Sequence, residues 1–519
     1  MPTILTILTV LTVLTVLTAC GSEHSGPKPG AEQAVGDGDP AAGKAASGAD
    51  PKAAAEAARK AEAARIDADF PLHGAVTTTE LRVLSEPQPE ATVIGWLRIG
   101  ARARLADEEK RVAGCKGGFH RLHPYGWVCK GDGMEVRKTP IEVERPSDDG
   151  WKEGQIEKAA AKKALVLPPP AGDERLPYSY YYVKEPAVPE YHRLPSRDEQ
   201  RAAQAKTEHF LKLLQKDEKR AKAYMADGTG GPAGTAIAAR YLDRGFYVAS
   251  NGTEVRAFRR FVRTTQGRYI KQAQLETRKG HDFHGIELTA DVTLPLAFTS
   301  RTARPLILDP RDDGSIAWKQ DEQGEPIARQ THLTGWKGRK NLGGHVMHEL
   351  ETERGPRYLK AWFAAVAEKI ARPKEVAADE PWVHVDLGEQ VLVLYQGDTP
   401  IYTTLVSSGV EDHATPTGLF QIQRKRITDT MADIGPDAGD DRYRIEDVPY
   451  TQYFEGSFAL HAAFWHTGFG LPRSHGCINL TPDDAHRIFG ATWPKIPEGW
   501  HGASTVDTKL EGSHVLITP

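Results

Sequence analysis

Residues 461–479 read HAAFWHTGFGLPRSHGCIN. The stretch holds Cys477, one of four cysteines in 519 residues, with histidines at 461, 466 and 475. A thiol among imidazoles is the raw material of a Cys–His nucleophile, because the thiolate and not the thiol attacks. Gly468, Gly470, Pro472 and Gly476 interrupt any helical pattern, so the nucleophile is expected on a loop. On one side FALHAAFW (458–465) reads as a strand that carries His461. On the other, SHGCINL (474–480) is a turn feeding TPDDAHRIFG, where Thr481 is placed to cap a short helix.

Working outward, PWVHVDLGEQVLVLYQGDTPIYTTLVSSG (381–409) alternates apolar and polar residues as a hairpin with a following strand. ATPTGLFQI (414–422) comes next, and HVLITP closes the chain as a last strand. Between them, 424–447 is rich in Arg and Asp with few core residues, and reads as a mobile charged lid over the cleft. His461 lies sixteen positions before Cys477, so a hairpin-like return brings it to where a general base must sit.

His461 followed by Ser474-His475-Gly476-Cys477-Ile478-Asn479 resembles the signature of L,D-transpeptidases of the YkuD type. Thr415-Pro416-Thr417-Gly418 resembles a second recurring element of that family, and HVDLGEQVLVLYQGD its opening hairpin. The resemblance covers 380–519 and implies a β-sandwich with short helices. It implies Cys477 as nucleophile and His461 as base, its imidazole oriented by the carbonyl of Ala462. His475 and Gly476, with the N–H of Cys477 itself, are implied at the oxyanion site. Ser474 and Asn479 are implied to shape the loop or touch substrate, as are Thr417 and Gly418 under the cleft. The motif does not need His466.

The implied reaction is attack on the L,D bond before the terminal D-alanine of a peptidoglycan stem peptide. An acyl-enzyme follows, and an amine of a second stem takes the acyl group in a 3–3 cross-link. Water as acceptor gives a carboxypeptidase or endopeptidase, and a lysine of an outer-membrane protein gives wall attachment. The motif does not choose among them. No metal and no organic cofactor is called for. A different class of reading is a wall-binding scaffold with a degenerate C-terminal domain, against which the intact Cys477 and His461 argue.

The N-terminus MPTILTILTVLTVLTVLTAC is apolar apart from its threonines and ends at Cys20. Its length fits a signal peptide or a membrane anchor. Leu17-Thr18-Ala19-Cys20 resembles the bacterial lipobox, so 1–20 is taken as a lipoprotein signal peptide and Cys20 as the acylated residue. No Lys or Arg precedes the apolar run. Ser22, and no aspartate, stands behind the cysteine, which on the same resemblance favours an outer-membrane destination. The expected location is the periplasmic side of that membrane.

Residues 21–70, dominated by Ala, Gly, Pro, Glu and Lys, cannot bury enough apolar surface to fold alone and form a tether. Within it AAAEAARKAEAARI (53–66) is a transient spacer helix. From 74 to 138 short β-type runs appear, such as ATVIGWLRIGARARLA and FHRLHPYGWVC. Their order, with Gly126-Trp127-Val128 near the end, resembles a bacterial Src-homology-3-like barrel. Cys115 and Cys129 lie within it, fourteen residues apart, and in an oxidising compartment either pair as a disulfide or stay as two buried thiols.

Residues 139–198 are a proline-rich connector whose tyrosines at 179–182 pack on a neighbour. The region 199–375 is mixed α+β without a recognisable role. It opens with a helix over 197–225 (Leu211, Leu213 and Leu214 at helical spacing) and ends with a helix over 357–370, RYLKAWFAAVAEKI. RFVRTTQGRYIKQAQL (260–275) is similar to the end of a small barrel, so a second barrel-like domain is expected. His345 and His348, three apart, are read as surface histidines and not as zinc ligands. The whole is a mainly β, multidomain chain of net charge −4, which gives no reason to expect nucleic acid as a partner.

Overall fold

The structure, a computed structural model, describes residues 51–141, 174–221, 237–434 and 442–519. The expected signal peptide and acylated Cys20 at 1–20, the tether as far as residue 50 and the connector over 142–173 lie outside the described residues. The chain divides into two units, 1–60 and 61–519. The alanine-rich helix α1 (Pro51–Asp69) is the end of the tether, its described side chains almost all exposed.

The first β module comprises β1 Leu72–Val76, β2 Glu80–Leu84, β3 Val93–Arg98, β4 Arg102–Lys110, β5 Phe119–Leu122, β6 Trp127–Cys129 and β7 Met134–Arg137. All its pairings are antiparallel, in the order β7-β1-β4-β5-β6-β2-β3. Val83, Leu97, Leu105, Leu122 and Val128 fill it. Cys115 and Cys129 are joined by a disulfide with a Cα–Cα distance of 5.7 Å.

The second module repeats the first. It comprises β8 Ser179–Val183, β9 Val188–Tyr191, β10 Ala238–Leu242, β11 Tyr247–Arg256, β12 Arg259–Thr264, β13 Tyr269–Lys271 and β14 Leu275–Arg278. Their order is β14-β8-β11-β12-β13-β9-β10, the same permutation. Helix α2 (Arg197–Leu214) is inserted between β9 and β10. Ser196 and Glu199 close a reciprocal capping box at its start.

A short strand, β15 (Ile286–Glu287), then leads to a third copy. This has β16 Leu296–Thr299, β17 Leu306–Pro310, β18 Ile316–Gln320, β19 Trp336–Leu342, β20 His345–Leu350, β21 Arg357–Lys360 and β22 Ala364–Ala367. Five of the six pairings recur. The sixth shrinks to one bridge, from Phe298 to His332 just ahead of β19. In every copy a single 3-10 turn separates the sixth strand from the seventh: Lys130–Asp132, Gln272–Gln274 and Ala361–Phe363. Val128, Ile270 and Leu359 occupy the same core position and are 0%, 0% and 1% exposed.

This repeat corrects the helix expected over 357–370. Tyr358, Leu359 and Ala364–Ala367 are buried almost without interruption, because strand, turn and strand follow one another there. A short apolar run of that kind imitates a helical stripe. Helix α2 ends at Leu214, a further helical turn covers 218–221, and 222–225 of the expected span lie outside the described residues. His348 is also not a surface residue: it is buried, accepts from Trp336 Nε1 at 3.1 Å, and lies 3.1 Å from the carbonyl of Ala361. His345 is exposed. Among the described residues no group of three metal-ligating side chains is assembled.

The C-terminal domain is two sheets face to face. The first contains β23 Pro381–Asp386, β24 Val391–Gln396, β25 Thr399–Leu405, β26 Gly418–Gln421 and, from further along the chain, the last strand. The second is built from β27 Arg424–Asp433, β28 Tyr443–Glu455, β29 Phe458–Ala462, β30 Ile478–Leu480 and β31 Gly502–Ser504. Helix α3 (Pro482–Ala491) follows β30, and β32 His514–Thr518 returns to the first sheet parallel to β23. Val383, Leu392 and Leu394 of the first sheet meet Phe454, Leu460 and Ile478 of the second, with Ile488 of α3. β15 adds to the edge of the first sheet beside β25.

The described parts of the segment 424–447, residues 424–434 and 442–447, are not a loop, and 435–441 lie outside the described residues. They are most of the hairpin β27–β28, with Ile427, Thr428, Ile445, Glu446, Asp447 and Val448 buried. Its charges are internal fastenings. Asp447 is buried and takes both guanidinium nitrogens of Arg98 from β3, one of them at 2.9 Å. Its carboxylate also accepts from Thr265 Oγ1 of the second module (2.6 Å) and from Thr428 Oγ1 (3.0 Å). Its backbone carbonyl accepts from Tyr180 OH (2.6 Å). Next to it, Glu446 faces Arg240, which also pairs with buried Glu190 of β9. Backbone pairing runs the same way, since β3 joins β31 and β11 meets β28 at Tyr247–Ile445.

Burial works to raise the Asp447 carboxyl, and Arg98 with its hydrogen bonds overcomes this and holds it below the usual range. Removing one partner of a buried pair strands the other charge, so Arg98→Ala is expected to cost about 3–5 kcal/mol. Denaturant melts of the single variants and of Arg98→Ala with Asp447→Ala test this. A single-variant loss below about 1 kcal/mol would show that the pair is dispensable.

Candidate active site

The site is made where β29 and β30 run parallel, with Leu460 opposite Ile478 and His461 opposite Asn479. That register sets the end of the histidine strand beside the loop that delivers Cys477. Backbone pairing between two buried strands therefore fixes both elements, although fifteen residues of turn-rich chain separate them.

His461 is 2% exposed. Its Nδ1–H donates to the carbonyl of Ala462 (3.2 Å), which leaves the Nε2 lone pair available as a base. The Trp465 ring stacks on it at 5.7 Å. Burial drives its pKa down to about 4, against a small opposing effect of the Ala462 carbonyl. Cys477 is partly buried and is the free cysteine of the described residues. Burial pushes its thiol up to about 11, opposed by a hydrogen bond from the N–H of Ala459. Its S–H points toward the carbonyl of Ser457, 3.7 Å away. At neutral pH thiol and imidazole are therefore both uncharged, and the resting pair is not a thiolate–imidazolium pair.

The nucleophile loop is braced from within. Ser474 Oγ donates to the carbonyl of Cys477 (2.6 Å) and accepts from Gly476 N–H (3.0 Å), so the Gly476 amide is already committed. Thr415 Oγ1 donates to the carbonyl of Gly476 (2.8 Å) and accepts from Gly409 N–H (3.0 Å). Gly476 has φ 107°, and a Cβ there would stand 2.4 Å from the Phe458 ring. Only glycine fits. His475 is exposed, its ring 4.6 Å from His413 and 5.4 Å from Tyr443 at the start of β28.

His466 also belongs to this group. It is largely buried, and its Nδ1 accepts from Gly468 N–H (3.2 Å), which puts the ring proton on Nε2. The Asn479 side-chain amide lies 2.8 Å from Nε2, and must offer its oxygen there. Burial, Arg473 and His461 bring the His466 pKa down to about 4. Asn479 thus acts on the loop through His466. Thr417 is exposed, and Gly418 opens β26 opposite Ile517. Thr415, two positions earlier, is the threonine that grips the nucleophile loop. The turn motif alone gives no sign of which of its two threonines faces inward, and burial decides it.

Residues 380–497 match the family model of the L,D-transpeptidase catalytic domain, YkuD. A putative L,D-transpeptidase of Bacillus subtilis (strain 168), YciB, is 28% identical over 130 residues, covering 22% of this chain and 61% of the relative. The chain thus spans about three fifths of the length of that curated relative. Among solved structures, the catalytic domain of an Enterococcus faecium L,D-transpeptidase is 23% identical. That match covers 27% of this chain and 98% of the other, with a TM-score of 0.21. L,D-transpeptidase 3 of Mycobacterium tuberculosis is 14% identical, covering 42% and 79%, with a TM-score of 0.23.

Two outcomes are expected. His461 accepts a proton only when neutral, so acylation of Cys477 should hold down to pH 5 and fall as pH drops through about 4. Alkylation by iodoacetamide should still be rising at pH 9 and level off near 11. A pH–rate profile with a midpoint near 6.5, or an alkylation plateau at neutral pH, contradicts the uncharged resting pair. Separately, Thr415→Val strands the buried Gly476 carbonyl and should cost about 1–3 kcal/mol. Thermal melts alongside acylation rates check it, and unchanged values for both would show that Thr415 is not a brace.

Proposed function

We propose that this protein is a peptidoglycan L,D-transpeptidase working through Cys477 on the outer side of the cytoplasmic membrane. One observation carries the reading: the parallel β29–β30 register that holds buried His461 beside the loop of Cys477, within the segment matching the catalytic family. The sulfur attacks the carbonyl of the L,D bond before the terminal D-alanine. Its proton passes to Nε2 of His461 as the C–S bond forms, since neither group is charged beforehand. The amides of His475 and Cys477 face the developing oxyanion, the Gly476 amide being held by Ser474.

Collapse of the tetrahedral intermediate expels D-alanine, whose nitrogen takes the proton from His461, and leaves a thioester. The side-chain amine of a second stem attacks that thioester, gives a proton to His461 and restores the thiol with a 3–3 amide formed. The Trp465 ring over His461 keeps water from the imidazole face, which favours an amine acceptor that brings its own binding contacts.

The three repeated modules are Src-homology-3-like barrels that hold the catalytic domain at the wall. The chain is tethered to the membrane through acylated Cys20, ahead of α1. Purified protein incubated with disaccharide-tetrapeptide muropeptides is expected to yield 3–3 dimers and free D-alanine, and Cys477→Ala to yield neither. Tripeptides without dimers would mean that water is the acceptor. A meropenem adduct on wild-type protein and none on Cys477→Ala would mark the same thiol. Absence of both products and adduct would sink the enzymatic reading in favour of a wall-binding scaffold.

A further inference from the structure

A cleft of 620 Å³ opens beside the catalytic loop, within the roughly 300–1,000 Å³ of ordinary ligand pockets. Its walls include Val410, Trp465, His466, Pro472 and Arg473 of the C-terminal domain, and Arg301 of the third module. Trp465 is the ring stacked on His461, and Arg473 immediately precedes the Ser474 that braces Cys477. A molecule seated in this cleft therefore lies against the ring that covers His461 and against the residue that leads into the nucleophile loop, while His461 and Cys477 themselves stand behind its wall.

The seam that brings Arg301 here is built. Gln330 Nε2 donates to the carbonyls of Thr467 (2.7 Å) and Phe469 (3.1 Å), and Arg329 to Thr467 Oγ1 (2.6 Å). Ser300 lies against Gly470, where a Cβ would meet its side chain at 3.2 Å. Arg301 Nη1 donates to the carbonyl of Trp362 (2.7 Å), which anchors one arm of the guanidinium while the side chain lines the cleft. Arg473 lies so close along Gly468 that a Cβ there would stand 2.1 Å from its Nε.

The charges do not balance. Elsewhere on the third module Arg339 faces Glu389, and Arg354 and Arg357 face Asp321. Among the described residues, neither Arg301 nor Arg473 has an acidic partner. Two guanidinium groups from different modules thus converge, without a carboxylate, on a half-apolar cleft next to a nucleophile. A planar fork of N–H donors suits a carboxylate in two-point contact.

We propose that the third module completes the substrate site: Arg301, with Arg473, binds the C-terminal carboxylate of the donor stem peptide. The proposal rests on the transpeptidase reading, because that carboxylate lies one residue beyond the bond presented to Cys477. It gives the third module a part in specificity. A stem extended beyond the fourth residue, or capped as an amide, loses the contact.

The test uses full-length protein carrying Cys477→Ala, so that peptide binds without reacting. Calorimetry compares an N-acetylated stem tetrapeptide as the free acid and as its C-terminal amide. The acid should bind about 10–100-fold tighter than the amide, the range of a charge-assisted hydrogen-bonded pair. Arg301→Ala and Arg301→Gln should remove most of that preference by weakening the acid alone, and Arg301→Lys should restore part. Equal affinity for acid and amide, or a loss in Arg301→Ala that falls on both, overturns the proposal. Turnover by the otherwise wild-type protein reports separately on the function. If it makes no product while the acid preference depends on Arg301, the subsite stands and the transpeptidase reading falls.

Discussion

The buried pair of Arg98 and Asp447 is the constraint on which the arrangement of modules depends. A carboxylate with no water must be surrounded by donors, and those around Asp447 come from three places: β3, the second module at Thr265, and its own hairpin at Thr428. Glu446 beside it is met less completely: Arg240 and Arg444 both reach Oε1, Oε2 has no partner among the described residues, and burial holds its carboxyl above the usual range. Two consecutive acidic residues on one strand therefore fasten the first two modules to the catalytic domain. Ion pairs of this kind contribute less to net stability than to uniqueness of arrangement, because any other docking would strand a charge. The third module attaches differently, through an apolar seam of Phe298, Ala365 and Ala367 against Trp382, Val391 and Val393, with Arg339–Glu389 and the contacts of Arg329 and Gln330 at its edges.

That difference bears on the active site. The loop of residues 465–473 is gripped from outside by the third module, and the loop of residues 474–477 from inside by Ser474 and Thr415. Between these grips the reacting groups are left electrically quiet, with burial holding the thiol up and the imidazole down. A thiol held neutral resists adventitious oxidation and alkylation. In the proposed attack by Cys477 the proton must then move during the attack itself, which makes the geometry of the two groups more important than their charge.

Much of the site was legible because its chemistry demands particular residue types close together in sequence. Cys477, His461 and the Ser474–Asn479 loop announce themselves by type and spacing, and the capping role of Thr481 by its place before Pro482. Thr415 and His466 were not legible, since their roles follow from which way side chains turn on a loop. The first module could be read as small β elements from its strands. The third could not, because Arg357–Ala367 compresses strand, turn and strand into one apolar run with no polar alternation. The hairpin β27–β28 was misread for the opposite reason. Its acidic residues are polar in composition yet are met inside the structure by arginines of other modules, Asp447 by Arg98 and Glu446 by Arg240, so hydrophobicity gives no hint of burial.

Three tandem copies of one strand order pose a problem for the nascent chain. The sixth strand of any copy offers nearly the same edge to the second strand of another, and neighbouring repeats are prone to exchange such elements as they fold. The copies here have diverged in ways that oppose this. The first is closed by the Cys115–Cys129 link, the second interrupts its β9–β10 connection with a capped helix, and the third reduces one ladder to the Phe298–His332 bridge. Each copy therefore carries its own mark of identity, and a strand that strays into the wrong neighbour finds a partner of the right shape with the wrong fastening.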